Sequence, residues 1–158
     1  MKIIRLNDRL TDKVSRFFIE HWGSTEMVVS TGVYDCAALD GFAALDENNE
    51  IIGLITFDQK EKEMEIISLD SLLEGQGIGS LLLEQLEQLA EAENRKHITL
   101  ITTNDNLHAL KFYQKRGYVL ARLFPHAVAE ARKKKPSIPL IGEHGIPLRD
   151  ELLLIKKL

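Results

Sequence analysis

The chain has a single cysteine, Cys36, among 158 residues. One thiol can build neither an internal disulfide nor a cysteine metal cluster. It sits in YDCAALDGF among small residues, a setting that suits packing rather than nucleophilic chemistry. Positive charge is not in excess: 20 Lys and Arg stand against 24 Asp and Glu, a net charge of −4. That balance argues against a partner held by its phosphate backbone, so no nucleic acid is expected. No apolar run approaches the length of a bilayer span, and MKIIRLNDRL has no apolar core of signal-peptide length. A cytoplasmic chain without a membrane partner is the expectation. The five histidines, His21, His97, His108, His126 and His144, show no metal-ligand spacing, and no metal is expected. Repeats, low-complexity tracts and linkers are absent as well. One domain over residues 1–158 is therefore expected, a length that buries about 70% of its unfolded surface.

What is present reads as strands followed by alternating strands and helices. Residues 2–6 form a short strand, and Thr11 is placed to cap a helix over 12–21 with Val14, Phe17, Phe18 and His21 on one face. HWGSTEMVVSTGVYD reads as a loop with one short strand. Strands at 41–46, 50–58 and 63–70 are joined by polar turns, which makes an antiparallel meander. In the last of these, Glu63, Glu65 and Ile67 alternate with Met64 and Ile66. A helix follows to about residue 94, with Ile78, Leu81, Leu82, Leu86, Leu89 and Ala90 on its apolar face. Then come strand 97–102, helix 106–116 closed by Gly117, strand 118–124, helix 126–135, the loop PSIPLIGEHGIP and strand 151–157. The class is α+β (mixed α/β), with a mixed, mostly antiparallel sheet flanked by helices.

The densest signal is SLDSLLEGQGIGSLLL, residues 68–83, where glycines at 75, 77 and 79 join a strand to a helix. Such a turn aims several backbone N–H groups and the positive end of a helix dipole at one spot, which suits a phosphate or diphosphate. The mononucleotide P-loop needs a Lys after its last glycine, and here Ser80 and Leu81 follow Gly79. The dinucleotide turn needs G-x-G-x-x-G after a buried parallel strand, and this strand carries Glu63 and Glu65. A bare strand-to-helix turn is the remaining alternative.

Residues 69–79 resemble the acetyl-CoA motif of the GNAT superfamily of N-acetyltransferases, V-x-P-x-x-[QR]-x-x-G-x-[GA]. Leu69 stands for Val, Ser71 for Pro and Glu74 for Gln or Arg, while Gly77 and Gly79 match. A second motif of that family, N-x-x-A-x-x-[FL]-Y-x-x-x-G-[FY], is matched at Asn106, Ala109, Phe112, Tyr113, Gly117 and Tyr118. Two motifs in order are far more specific than one.

The resemblance implies an enzyme that moves acetyl from acetyl-CoA to a primary amine by direct attack in a ternary complex. The acceptor is a small molecule or peptide, and a homodimer is allowed. It implies that Gln76, Gly77, Ile78, Gly79 and Ser80 hold the CoA diphosphate. Leu69, Asp70 and Ser71 line the pantetheine arm, with the Leu69 backbone at the acetyl carbonyl. Asn104, Asn106 and Tyr113 complete the cofactor contacts, although Asn106 also suits a helix cap. Glu74 is expected to turn toward solvent, since a carboxylate repels a diphosphate. The amine must lose a proton, and Glu65 or Glu63 is the candidate base. Asp70 is a weaker one, facing away from Glu65 unless the strand bulges. Tyr113 is the implied acid for the leaving thiolate, against the plainer role of a packed aromatic. Trp22 and Gly23 lie where this family builds its acceptor site, against the plainer role of a packed tryptophan, and the resemblance makes the segment 125–147 a cover for that pocket. Arg132–Lys135 suit a helix C-terminus, with a CoA phosphate contact as the minor alternative. A catalytically idle acyl-CoA sensor is the competing function, kept open by Glu74.

Overall fold

The computed structural model describes all residues, 1–158. In chain order the elements are β1 (Lys2–Arg5), α1 (Thr11–Trp22), β2 (Glu26–Val29), β3 (Gly32–Asp35), β4 (Asp40–Leu45), β5 (Ile51–Gln59) and β6 (Glu63–Ser71). They continue with α2 (Ile78–Ala92), β7 (His97–Thr103), α3 (Leu107–Gln114), β8 (Val119–Phe124), α4 (Ala127–Lys134) and β9 (Glu151–Lys157). The chain forms two compact units: Met1–Met27 with Tyr34–Ile98 and Leu158, and Val28–Val33 with Thr99–Lys157. The class is α+β with mostly antiparallel pairing and four α-helices, as the sequence implies.

In the first unit the strands run in the order β1-β4-β5-β6, each pair antiparallel. Helix α1 starts differently from expectation. The Asn7 carboxamide oxygen accepts from the Arg9 amide and opens a 3-10 turn, Asp8–Leu10, that runs straight into the helix. Thr11 is already helical at φ −54° and ψ −44°, so its hydroxyl does not cap. Val14, Phe17 and Phe18 are buried in a cluster with Cys36, Ala43, Leu45, Ile51 and Leu54. Full burial of such side chains contributes roughly 1.5–3 kcal/mol each, so this face of the sheet is an apolar anchor of the first unit. His21, expected on that face, is exposed, with its ring 4.6 Å from that of Phe17.

The register of β5 and β6 carries one irregularity. Thr56 faces Ser68, but Phe57 faces Ile66, so Ile67 is one residue too many on β6. A bulge of this kind flips the alternation beyond it. Glu65 pairs with Asp58, Ser68 with Thr56 and Asp70 with Leu54, and those β5 positions alternate regularly. Glu65, Ser68 and Asp70 therefore share one face, the face covered by α1. The sequence expectation that Asp70 looks away from Glu65 held only for a strand without a bulge.

Helix α2 covers the other face. Its buried residues are Ile78, Leu82, Leu83, Leu86 and Ala90; Leu81, expected among them, is 38% exposed. The stripe follows the i, i+4 row from Ile78 rather than the leucine run, which puts Leu81 at its edge. Gly53 of β5 lets the helix start this close: a Cβ there would stand 2.5 Å from Ile78 Cγ2 and 3.1 Å from Leu82 Cδ1.

Strands β2 and β3 form a two-stranded hairpin, where the sequence suggested one short strand in a loop. Val28, Val29 and Val33 supply β-branched residues on both arms. At the hairpin's tip, in the second unit, the Ser30 amide and hydroxyl donate to Glu151 Oε1 at 2.8 and 2.7 Å. Glu151 is 2% exposed, so these bonds compensate a buried carboxylate. That unit's strands run β7-β9-β8, with β8 and β9 antiparallel.

Gly53→Ala is expected to lower stability by about 1–3 kcal/mol through overpacking against Ile78. Urea denaturation should show a lower midpoint with an unchanged slope.

Candidate active site

The glycine turn of the first unit is built as an anion cradle. Gly75 and Gly77 have φ of 73° and 70°, a left-handed conformation that side chains resist. Gly77 is the N-cap residue of α2 and leaves the helix without a side-chain cap. An added Cβ at either glycine meets nothing within 4 Å, so the backbone faces open space. A helix of 15 residues begins there, its dipole and first-turn amides directed outward. Glu74 and Gln76 are exposed, Ile78 is buried, and Gly79 and Ser80 are half-buried. This set of backbone donors fits a diphosphate and supplies no side-chain anion that must stay beside it.

The acids of β6 have unequal surroundings. Glu65 is 1% exposed; Lys60 Nζ lies 2.7 Å from its Oε1 and the Tyr34 hydroxyl donates to the same oxygen at 3.2 Å. Partial burial pulls the Lys60 pKa down, but the bond and charge of Glu65 outweigh it and the net direction is up. Glu63 is half-buried at the start of the strand. Asp70, also half-buried, accepts from the Trp22 indole N–H at 3.2 Å to Oδ1 and 3.1 Å to Oδ2. Burial pushes its carboxyl up to about 6, against the opposing effects of the Trp22 bond and the His21 charge. Neither Lys60 nor Tyr34 was foreseen as a partner of Glu65. The signal was the hairpin turn QKEKE, which returns the chain so that Lys60 sits near Glu65. Leu69 is half-buried and Ser71 is exposed, its hydroxyl bonded to the Leu73 carbonyl at 3.2 Å.

In the second unit the expected cofactor residues have structural partners. Asn106 Oδ1 accepts from the Ala109 amide at 3.0 Å and caps α3. Asn104 clasps the following loop: its Nδ2 donates to the Pro147 carbonyl, and its Oδ1 accepts from the Arg149 and Asp150 amides, each at 3.0 Å. Asp105, which sequence reasoning passed over, is 5% exposed and accepts from Thr103 Oγ1 at 2.5 Å and the Glu143 amide at 2.8 Å. Arg132 donates to the carbonyls of Ile138, Pro139 and Leu148 at 3.2, 2.6 and 2.6 Å. Its guanidinium thus holds the loop. Tyr113 is 6% exposed on α3, its ring edge-on to Phe112 and Tyr118 at 5.1 and 5.3 Å.

A strand-to-helix turn with open backbone donors, beside a strand that carries carboxylates, is a site suited to a phosphate-bearing ligand. A model of the acetyltransferase (GNAT) family matches residues 7–118, more than half of the chain, and the chain belongs to that family. It is 58% identical over 147 residues to YxbD of Bacillus subtilis (strain 168), covering 93% of this chain and 92% of that protein. To YdhI of the same organism it is 51% identical over 156 residues, covering 99% and 98%. A crystal structure of a GNAT family acetyltransferase from Elizabethkingia anophelis, with acetyl-CoA bound, shares the fold. The TM-score is 0.69 and the identity 21%, over 99% of this chain and 97% of that one. No helix here is long and apolar enough to cross a membrane.

The raised Asp70 pKa carries a stability consequence. The folded chain binds this proton more tightly than the unfolded chain, so the contribution is most favourable below about pH 4 and is lost as pH rises through about 6. Asp70→Asn keeps an acceptor for Trp22 and removes the buried charge. It is expected to stabilise the fold by about 2–3 kcal/mol at neutral pH, with the gain shrinking toward about pH 4. Thermal melts across that range check both the sign and the window.

Proposed function

We propose that the chain transfers acetyl from acetyl-CoA to a primary amine on a small molecule or peptide, by direct attack in a ternary complex. The observation that carries this is the open, uncapped glycine turn at the start of α2 in a chain of the GNAT family. The acetyl-CoA held by the Elizabethkingia relative supports the choice of donor. In the proposal the backbone from Gln76 to Ser80 holds the diphosphate and the Leu69 backbone holds the arm. Asp70 and Ser71 flank that arm, and Asn104, Asn106 and Tyr113 add contacts from the second motif. Acetyl-CoA supplies the activated thioester. A carboxylate of β6, with Glu65 and Glu63 as the sequence candidates, takes the amine proton. Tyr113 gives one to the thiolate: a tyrosine of ordinary pKa, near 10, is protonated at neutral pH and so is available as the acid. The same proposal treats residues 1–158 as one acyltransferase domain working in the cytoplasm without a metal.

Glu74 favours a second function, an idle acyl-CoA sensor, because it replaces the Gln or Arg of the family motif and places a carboxylate in the diphosphate turn. Thiol release over a panel of amines separates the two: the enzyme releases CoA, the sensor only binds.

Saturating acetyl-CoA is expected to raise the melting temperature by several degrees, since ligand at about 100 times Kd contributes about 2.7 kcal/mol. Gly77→Val, which strains the left-handed residue and fills the open cradle, should abolish that rise. Tyr113→Phe should keep the rise while lowering turnover about 10²–10⁴-fold.

A further inference from the structure

We propose that Asp70, positioned by the Trp22 indole, is the group that takes the proton from the attacking amine, in place of Glu65 or Glu63. This rests on the acetyl-transfer function proposed above and names its base.

Three observations separate the acids. Glu65 is buried and held by the Lys60 ammonium and the Tyr34 hydroxyl. Protonating it would leave that ammonium without its counter-charge, which makes Glu65 a poor proton acceptor. Glu63 opens β6 at the end away from the glycine turn, beside the same Lys60. Asp70 is the penultimate residue of β6 and the chain neighbour of Leu69, whose backbone is proposed to hold the thioester. At about 3.3 Å per residue, Glu65 lies roughly 15 Å back along the strand, so one acetyl group cannot serve both acids.

Asp70 is also equipped for the task. Its side-chain hydrogen-bond donor is neutral, a single indole N–H shared between both carboxylate oxygens, and the cationic influence on it is the charge of His21 rather than a bonded ammonium or guanidinium. Both oxygens keep lone pairs for a substrate N–H. Trp22 is 46% exposed, so the carboxyl lies beside a surface aromatic that an acceptor can reach. The charged and titratable groups on this face include His21 of α1, Tyr34 of β3, Asp58 of β5, and Glu63 and Glu65 of β6 with Lys60. Burial raises the Asp70 carboxyl to about 6, so at neutral pH it is ionised and more basic than an ordinary carboxylate.

A neutral amine attacks the thioester carbon; the C–N bond forms and the C–S bond breaks. Asp70 takes the N–H proton, and the CoA thiolate takes one from Tyr113. Asp70 then returns its proton to solvent, from which the Tyr113 phenolate recovers its own.

Trp22 is the only tryptophan, so its emission reports on this carboxyl. Wild type should show an emission transition near pH 6 that Asp70→Asn removes. Glu65→Gln should retain the midpoint, and His21→Gln should retain the transition at higher pH. Turnover is then followed against pH with the best acceptor in a panel of polyamines, amino acids and aminoglycosides. Asp70→Asn should lose about 10²–10⁴-fold in kcat and the acid limb near pH 6, while keeping the melting shift with acetyl-CoA. Trp22→Phe removes a bond that lowers the Asp70 pKa, so the limb should move to higher pH. A merely structural tryptophan would leave it in place. The proposal is overturned if Asp70→Asn keeps the rate and limb, or if Glu65→Gln alone removes the limb. Wild type without an acetyl-CoA melting shift, or without turnover of any amine, overturns the parent function and the base together. Wild-type turnover with an unaltered Asp70→Asn profile overturns the base alone.

Discussion

One extra residue in β6 decides what the candidate site contains. With Ile67 accommodated as a bulge, the strand beyond it is turned by one position, and Asp70 joins Glu65 and Ser68 on the face covered by α1. A regular strand would have aimed Asp70 at the α2 face, where Ile78 and Leu82 approach Gly53. The bulge therefore does two things at once. It keeps a carboxylate out of an apolar layer, and it brings that carboxylate to Trp22. Ile67 itself packs against the cluster around Phe17 and Phe18, which stabilises the irregularity.

Much of the fold was legible because periodicity and turn residues agree locally. Strands β4, β5 and β6 alternate between polar turns, and the stretch after Gly77 repeats at helical spacing, so both were read within a residue or two. The errors have local causes. Thr11 looks like a cap, but Asn7 had already opened a 3-10 turn that feeds the helix. Leu81 looks like core, but the close approach at Gly53 sets which row of α2 faces inward. The hairpin at Glu26–Asp35 was half seen, because its tip is fixed by a glutamate far along the chain.

The candidate site was legible to a lesser degree, and the difference is instructive. Backbone chemistry can be inferred from glycine spacing, and the turn at 75–77 has the left-handed geometry and open flank that spacing suggested. Side-chain roles cannot be inferred so directly, because a polar residue type is compatible with many partners. Asn104 and Arg132 have the chemistry to meet a ligand, yet each binds main-chain atoms of the 136–150 segment. Glu65 has the chemistry of a base, yet its charge is met by Lys60. Alternation alone, without the bulge, places Asp70 on the wrong face.

The bond between Ser30 and Glu151 joins residues 121 positions apart. During synthesis the hairpin tip leaves the ribosome long before its acceptor exists. The bonds that hold the tip therefore form only after β9 has emerged, a long-range closure that comes late in folding.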